Sequence, residues 1–223
     1  MSPTLNAVPS LPLRSIPAVT DSSAERLDMN YLAHLYFASE TPDSMVGNLL
    51  PDFTKELKHP AYSPETLEGI ALHRFIDRYT DTHPVVKRSK EKISSQRRRF
   101  SGILIDIFYD HFLALHWQKY HPQSLYESTQ FYYRELAKTT LPLPPRLNEA
   151  IVRMPQIDLL YNYRTIKGMG HAIDRVSQRI RFKNALHGGC EELVENFDAL
   201  EVDFHLFFSD LREAVSLYKA PSL

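Results

Sequence analysis

Cysteine and glycine are scarce in this chain: Cys190 stands alone, and seven glycines serve 223 residues. A single cysteine excludes a disulfide framework and fits a reducing compartment. Few glycines, with long stretches that hold neither glycine nor proline, argue against a turn-rich β protein. Apolar runs are short as well, and none reaches the roughly 18 residues of a membrane span. Charge is nearly balanced, with 26 Lys and Arg against 27 Asp and Glu. Neither a membrane nor a nucleic acid is therefore expected as a partner.

Prolines are plentiful and punctuate the chain. Pro3, Pro9, Pro12 and Pro17 break any helix near the start, where the apolar residues show no period. Pro9 and Pro12 deny the unbroken apolar core of a secretory signal, and Asp21, Glu25 and Asp28 argue against a transit peptide. The expected layout is a tail over 1–28, one helical domain over 29–217 and a short tail over 218–223. A cytoplasmic location follows from the same features, and the oligomeric state stays open.

Within the domain no segment alternates with a period of two, so an all-α bundle of about eight to ten helices is expected. Met29 to Ser39 reads as a short apolar helix and Asp43 to Lys55 as a second, interrupted by Gly47 and Pro51. Pro64 suits the first turn of a helix running to about Asp81. Pro84 starts another, Phe100 to Tyr120 is long and nearly all apolar, and Pro122 opens the next, to about Lys138. After the Pro142, Pro144, Pro145 linker, helices are expected at about 146–154, 156–166 and 170–186, with a last one over about 191–217.

Two helices carry residues that their apolar surroundings do not explain. The stretch from Ile103 to Leu113 is apolar almost all round and should be central, yet it holds Asp106 and Asp110, four apart, with His111 beside them. Burying unpaired carboxylates costs several kcal/mol or more. A cation must offset that cost, either an arginine from another helix or a divalent metal. The preceding helix places His73, Asp77 and Asp81 at i, i+4 and i+8, which stacks them along one face. Helices that present acids and histidines inward are how bundles build metal sites. Arg74 and Arg78 offer the alternative of surface pairs with these acids.

His34 is the one strongly ionisable residue of the first apolar helix, either a hydrogen-bonded core histidine or a further ligand. Asn48 and Asp52 flank the Leu49-Leu50-Pro51 turn. An oxygen-rich donor set with few histidines favours Mn²⁺ or Mg²⁺ over a cysteine-based zinc site. The basic run Lys87, Arg88, Lys90, Lys92, Arg97, Arg98, Arg99 is opposed only by Glu91, and reads as a solvated face or as a docking surface for an acidic partner. Arg175, Arg179, Arg181 and Lys183 form a second basic group.

Taken in order, Met29-Asn-Tyr-Leu-Ala-His34, Gly47-Asn48-Leu-Leu-Pro-Asp52-Phe53, Gly69-Ile-Ala-Leu-His73-Arg74-Phe-Ile-Asp77 and Asp106-Ile-Phe-Tyr-Asp110-His111-Phe112-Leu113 resemble the bacterial acyl carrier protein phosphodiesterases. The likeness runs from Met29 to about residue 210, through Asn162-Tyr163-Arg164 and Asp198-Ala-Leu-Glu201. It implies a hydrolase that removes 4′-phosphopantetheine from holo acyl carrier protein, with Mn²⁺ preferred, in fatty acid and lipid metabolism. It also implies a distant tie to the HD-type metal phosphohydrolases, although the doublet here is Asp110-His111 and no His-Asp dipeptide occurs.

The resulting expectation is a metal held by His34, His73, Asp77, Asp110 and His111. Asp52 and Asp106 are expected to orient water, with Asn48, Arg74, Arg97, Arg98 and Arg99 contacting substrate. The competing readings are a helical phosphohydrolase acting on a nucleotide or other small phosphodiester, and a binding module whose acids form structural pairs.

Overall fold

A computed structural model describes residues 31–180 and 182–219. The tail over 1–28, the Met29-Asn30 start of the first motif, Arg181 and residues 220–223 lie outside the described residues. Twelve α-helices occur among the described residues, nine of them seven residues or longer, and no strand is among them.

The first half builds a layer around one close helix contact. Helix α1 (Tyr31–Phe37) is followed by α2 (Pro42–Leu49), whose N-cap Thr41 accepts from the Ser44 N–H. The interruption expected at Pro51 is a 3₁₀ turn over Leu50–Asp52, because Pro51 cannot continue the α ladder. Helix α3 (Pro64–Thr82) starts on the Ser63 cap with Pro64 in its first turn, as its sequence predicts. Gly47 of α2 and Gly69 of α3 face each other. A Cβ on Gly47 would stand 2.3 Å from the Thr66 carbonyl oxygen, and one on Gly69 2.6 Å from that of Ser44. Two glycines thus let the helix backbones meet at a distance that no side chain would permit.

Helix α4 (Pro84–Glu91) and a 3₁₀ turn over Arg98–Phe100 lead into α5 (Ser101–Leu115). Helix α5 is the axis of the molecule. Leu104, Ile105, Ile107, Phe108, Phe112 and Leu113 are all fully buried, and the helix touches α1, α4, α10 and α12. Its apolar sequence extends to Tyr120, but the backbone breaks at His116 and resumes as α6 (Trp117–Tyr120). The helix expected to open at Pro122 begins instead at Leu125, as α7 (Leu125–Leu136). There Ser124 and Glu127 form a reciprocal capping box.

Helix α8 (Pro145–Gln156) matches its expected place. The helix expected over about 156–166 is only the four-residue α9 (Leu159–Asn162), entered through Asp158 in a left-handed conformation. Helix α10 (Ile166–Arg179) starts earlier than Gly168 and Gly170 suggest, because Thr165 caps the Gly168 N–H, and it ends at Arg179 rather than near residue 186. The last expected helix is two, α11 (Cys190–Glu195) and α12 (Phe197–Leu217), divided at Asn196. Phe204 and Phe208 of α12 close the core against Phe112, Tyr120 and Tyr36.

Candidate metal centre

Three elements bring imidazoles and carboxylates to one buried point. Helix α1 supplies His34, the 3₁₀ turn after α2 supplies Asp52, and α3 supplies His73 and Asp77 one turn apart. His73 Nε2 lies 3.0 Å from Asp77 Oδ2 and 3.5 Å from Asp52 Oδ1, and His34 Nε2 lies 3.3 Å from Asp77 Oδ1. One ligand atom each from His34, His73 and Asp77 falls within 4.8 Å of the other two. The two imidazoles stack, with centroids 4.1 Å apart.

The hydrogen bonds around the group set its chemistry. His73 Nδ1 is 2.7 Å from the Asn48 carbonyl oxygen, which can only accept. The proton therefore sits on Nδ1, and Nε2 points its remaining valence at the two carboxylates. A backbone carbonyl that fixes the tautomer and aim of a ligating histidine is a recurrent support for metal sites. The Gly47–Gly69 contact makes this bond possible, since it brings α2 down onto α3 beside Asn48.

Burial would raise the Asp77 carboxyl, but the imidazoles of His34 and His73 outweigh it and hold Asp77 well below the usual carboxylate range. Burial and the neighbouring His73 push His34 down, against the pull of Asp77. Neither ring nitrogen of His34 has an aligned hydrogen-bond partner, and neither polar atom of the buried Asn48 amide has one. Buried polar atoms left in this state are costly. Two nitrogens and two carboxylates converging beside such atoms fit a divalent cation of borderline hardness.

The other expected ligands, Asp110 and His111, are not grouped with His34, His73 and Asp77. Asp110 accepts at 2.9 Å from the N–H of Leu32 and at 2.9 Å from that of Ala33. It caps the N-terminus of α1 from a neighbouring helix, so both its oxygens are engaged. Burial pushes its carboxyl up to about 8, and those two N–H groups restrain the rise. His111 donates from Nδ1 to the Tyr163 carbonyl oxygen at 2.6 Å and packs against Phe112 and Phe197. Backbone N–H groups thus meet the buried Asp110 carboxylate, while His111 Nε2 is left buried with no hydrogen-bond partner among the described residues. Asp106 is half-buried on α5; burial raises the nearby Tyr109 hydroxyl, and the Asp106 charge adds to the rise.

The expected substrate contacts divide. Asn48 is fully buried beside His34 and His73, whereas Arg74 is exposed on α3. Arg97 is committed to the protein itself. It donates to the carbonyls of Ala185 and His187 and pairs with Glu191 and Glu192. Arg88 and Lys92 pair with the buried Asp203, and Lys90 with Asp81, so much of the basic run is neutralised internally. Arg98 and Arg99 remain exposed, with Arg99 over the ring of Phe182.

Asp203 escaped the sequence reading. An acid in the apolar run Val202-Asp203-Phe204 carries the same signal that drew attention to Asp110. A second group, His116, Glu201 and His205, has ligand-like spacing but is half-exposed. Its nitrogens already meet Glu201 and the Tyr120 hydroxyl.

A model of the acyl carrier protein phosphodiesterase family matches residues 29–211. The acyl carrier protein phosphodiesterase of Escherichia coli O45:K1 is 32% identical over 189 residues, covering 84% of this chain and 98% of that protein. Its counterpart in Escherichia coli O139:H28 is 33% identical over 181 residues, covering 81% and 94%. No solved structure matches the chain.

Proposed function

The chain belongs to the acyl carrier protein phosphodiesterase family, a family of phosphoric diester hydrolases, and from that premise we propose that it releases 4′-phosphopantetheine from holo acyl carrier protein. Water adds to phosphorus, the bond from phosphorus to the carrier's serine oxygen breaks, and the serine leaves as its free hydroxyl. The products are apo carrier protein and the phosphate monoester of pantetheine. The observation that carries this reading is the buried convergence of His34, His73, Asp77 and Asp52.

Those four residues would hold a divalent cation, with Mn²⁺ favoured and Mg²⁺ the alternative. Such an ion lowers the pKa of water and polarises a phosphoryl oxygen. Asp52 sits in a turn outside the two ligand-bearing helices and is the group proposed to orient or accept the proton of the attacking water. His73, aimed by the Asn48 carbonyl, and His34, aimed by α1, supply fixed nitrogens that need no rearrangement during turnover. The buried Asn48 amide can offer its N–H to a phosphoryl oxygen. No described helix is long and apolar enough to cross a membrane.

Purified protein incubated with holo acyl carrier protein tests this directly. The carrier should lose the mass of phosphopantetheine, and a chelator should stop the loss until Mn²⁺ is restored. Hydrolysis of free nucleotide diesters at an equal or greater rate would replace the carrier with a small-molecule substrate.

A further inference from the structure

A cationic cleft opens between α8, α9 and α10, and its inner end reaches Tyr31. Its wider part, about 400 Å³, is lined by Ile157, Leu159, Thr165, Lys167, His171 and Arg175. A narrower chamber sharing Ile157, Leu159 and Arg175 continues inward to Tyr31, Arg153 and Arg179. Tyr31 joins the two regions. Its ring stacks on Phe53, the residue after Asp52, and its hydroxyl feels both the Asp52 carboxylate and the Arg179 guanidinium. The inner end of the cleft therefore abuts the cluster that holds Asp52 and His73.

Arg175 and Arg179 take part in no ion pair among the described residues, and Arg153 reaches only the exposed Glu149, at 3.9 Å. Burial lowers the Arg175 guanidinium, and the like charges of Arg179 and Arg153 lower it further. A guanidinium does not discharge in a protein, so crowding three of them leaves a site that an anion would stabilise. Arginine forks match phosphate oxygens in particular. Walls of Ile157, Leu159 and Met154 suit an uncharged, partly apolar chain beyond that phosphate.

We propose that this cleft receives the phosphopantetheine arm, with Arg175 and Arg179 holding phosphate oxygens at its inner end and α8, α9 and α10 enclosing the pantetheine chain. The proposal rests on the phosphodiesterase reading. It adds the direction in which the arm lies and the residues that grip it.

The test is calorimetric titration of the full chain with free 4′-phosphopantetheine and with pantetheine, which lacks the phosphate. Arg175→Lys, Arg179→Ala and the double variant Arg175→Lys/Arg179→Ala are compared with wild type, with melting curves to confirm the fold. Phosphopantetheine should bind wild type and weaken at least tenfold in the double variant, while pantetheine binding and Mn²⁺ binding stay unchanged. In the wild type, phosphopantetheine should also protect Arg175 and Arg179 from an arginine-specific dicarbonyl reagent, read by peptide mass. Unaltered phosphopantetheine affinity in folded variants, or no protection, overturns the cleft. An equal loss of apo carrier protein binding in the double variant also overturns it, since the arginines would then grip the protein rather than the arm. Hydrolysis of holo carrier protein by wild type is scored separately. If it persists while the cleft fails, only the cleft is lost; if it is absent, the phosphodiesterase reading falls.

Discussion

His34 and His73 stack their imidazoles with centroids 4.1 Å apart and planes 17° apart. Two imidazolium ions would not tolerate that contact in a buried site, because like charges in low dielectric repel strongly. At least one ring must be neutral, and a neutral ring can meet Asp77 either by donating its N–H or, through its lone pair, by sharing a cation with it. Asp77 lies against both rings, at 3.3 Å from His34 and 3.0 Å from His73. The stack and the carboxylate it shares thus form a group that could hold a cation.

The first prediction follows from that contact. Wild-type protein should bind Mn²⁺, and His73→Ala or Asp77→Ala should weaken binding at least tenfold. Because the ion binds only the folded state, wild type at about 100 times Kd should gain roughly 2.7 kcal/mol of stability, and the variants little. Melting curves with and without Mn²⁺ read this out. An equal shift in Asp77→Ala would place the ion elsewhere.

Asp110 should act on the same centre from a distance. Removing its carboxylate leaves the Leu32 and Ala33 N–H groups buried without an acceptor, one residue from His34. Asp110→Ala should cost on the order of 2–4 kcal/mol in urea unfolding and should also weaken Mn²⁺ binding, by releasing α1. Intact stability would mean that water replaces the cap.

What could be read from sequence and what could not divide along this line. The helical class and the places of α3, α5 and α8 followed from period, proline and capping residues, which act locally. So did the singling out of His34, His73, Asp77 and Asp110, since a buried ionisable group needs a partner whatever the fold. Which partner it finds is a long-range fact. Asp110 and Leu32 are 78 residues apart, and nothing local distinguishes an acid that caps a distant helix from one that binds metal. Arg97 looked like rim charge for the same reason, because its acids Glu191 and Glu192 lie across the molecule. The breaks at His116 and Asn196 lack a proline or glycine to announce them.

Gly47 should not tolerate a methyl group. Its Cβ would stand 2.3 Å from the Thr66 carbonyl oxygen, a backbone atom that cannot swing aside. Gly47→Ala should force α2 away from α3, at a cost of about 1–3 kcal/mol. It should also lengthen the bond from His73 to the Asn48 carbonyl. Stability and Mn²⁺ affinity should fall together; a stable variant with unchanged affinity would show that the helix contact is not what aims His73.

Asp203 should give the fold an acid-sensitive element. Burial would raise its carboxyl, but hydrogen bonds from Arg88, Ser89 and Lys92 outweigh burial and hold it below its ordinary value. A folded-state pKa lower than the unfolded one contributes stability above about pH 4, lost as pH falls through the depressed value. Asp203→Asn should therefore cost about 1–3 kcal/mol at pH 7. The gap to wild type should narrow below pH 4. A gap that stays constant from pH 7 to pH 3 would assign the loss to packing rather than charge.

The last prediction separates three neighbouring arginines that sequence treats alike. Arg97 donates to two carbonyls and pairs with Glu191 and Glu192, anchoring the 185–192 segment to the start of α5. Arg97→Ala should lower the melting temperature, since it leaves the buried Glu192 carboxylate with Ser94 as its one remaining partner among the described residues. Arg98 and Arg99 are exposed, and Arg99 lies over Phe182, three residues past Arg179 at the inner end of the cationic cleft. We propose that they meet the acidic surface of a carrier protein. Exposed charges of this kind steer encounter and are screened by salt. Arg98→Ala with Arg99→Ala should leave the melting temperature unchanged, raise the Michaelis constant for holo carrier protein, and flatten its dependence on salt between about 50 and 500 mM, where the screening length shortens to a few Å. Hydrolysis of a small phosphodiester should be unaffected. If the double variant instead melts early, or slows both substrates equally, these arginines support the fold and the carrier docks on another face.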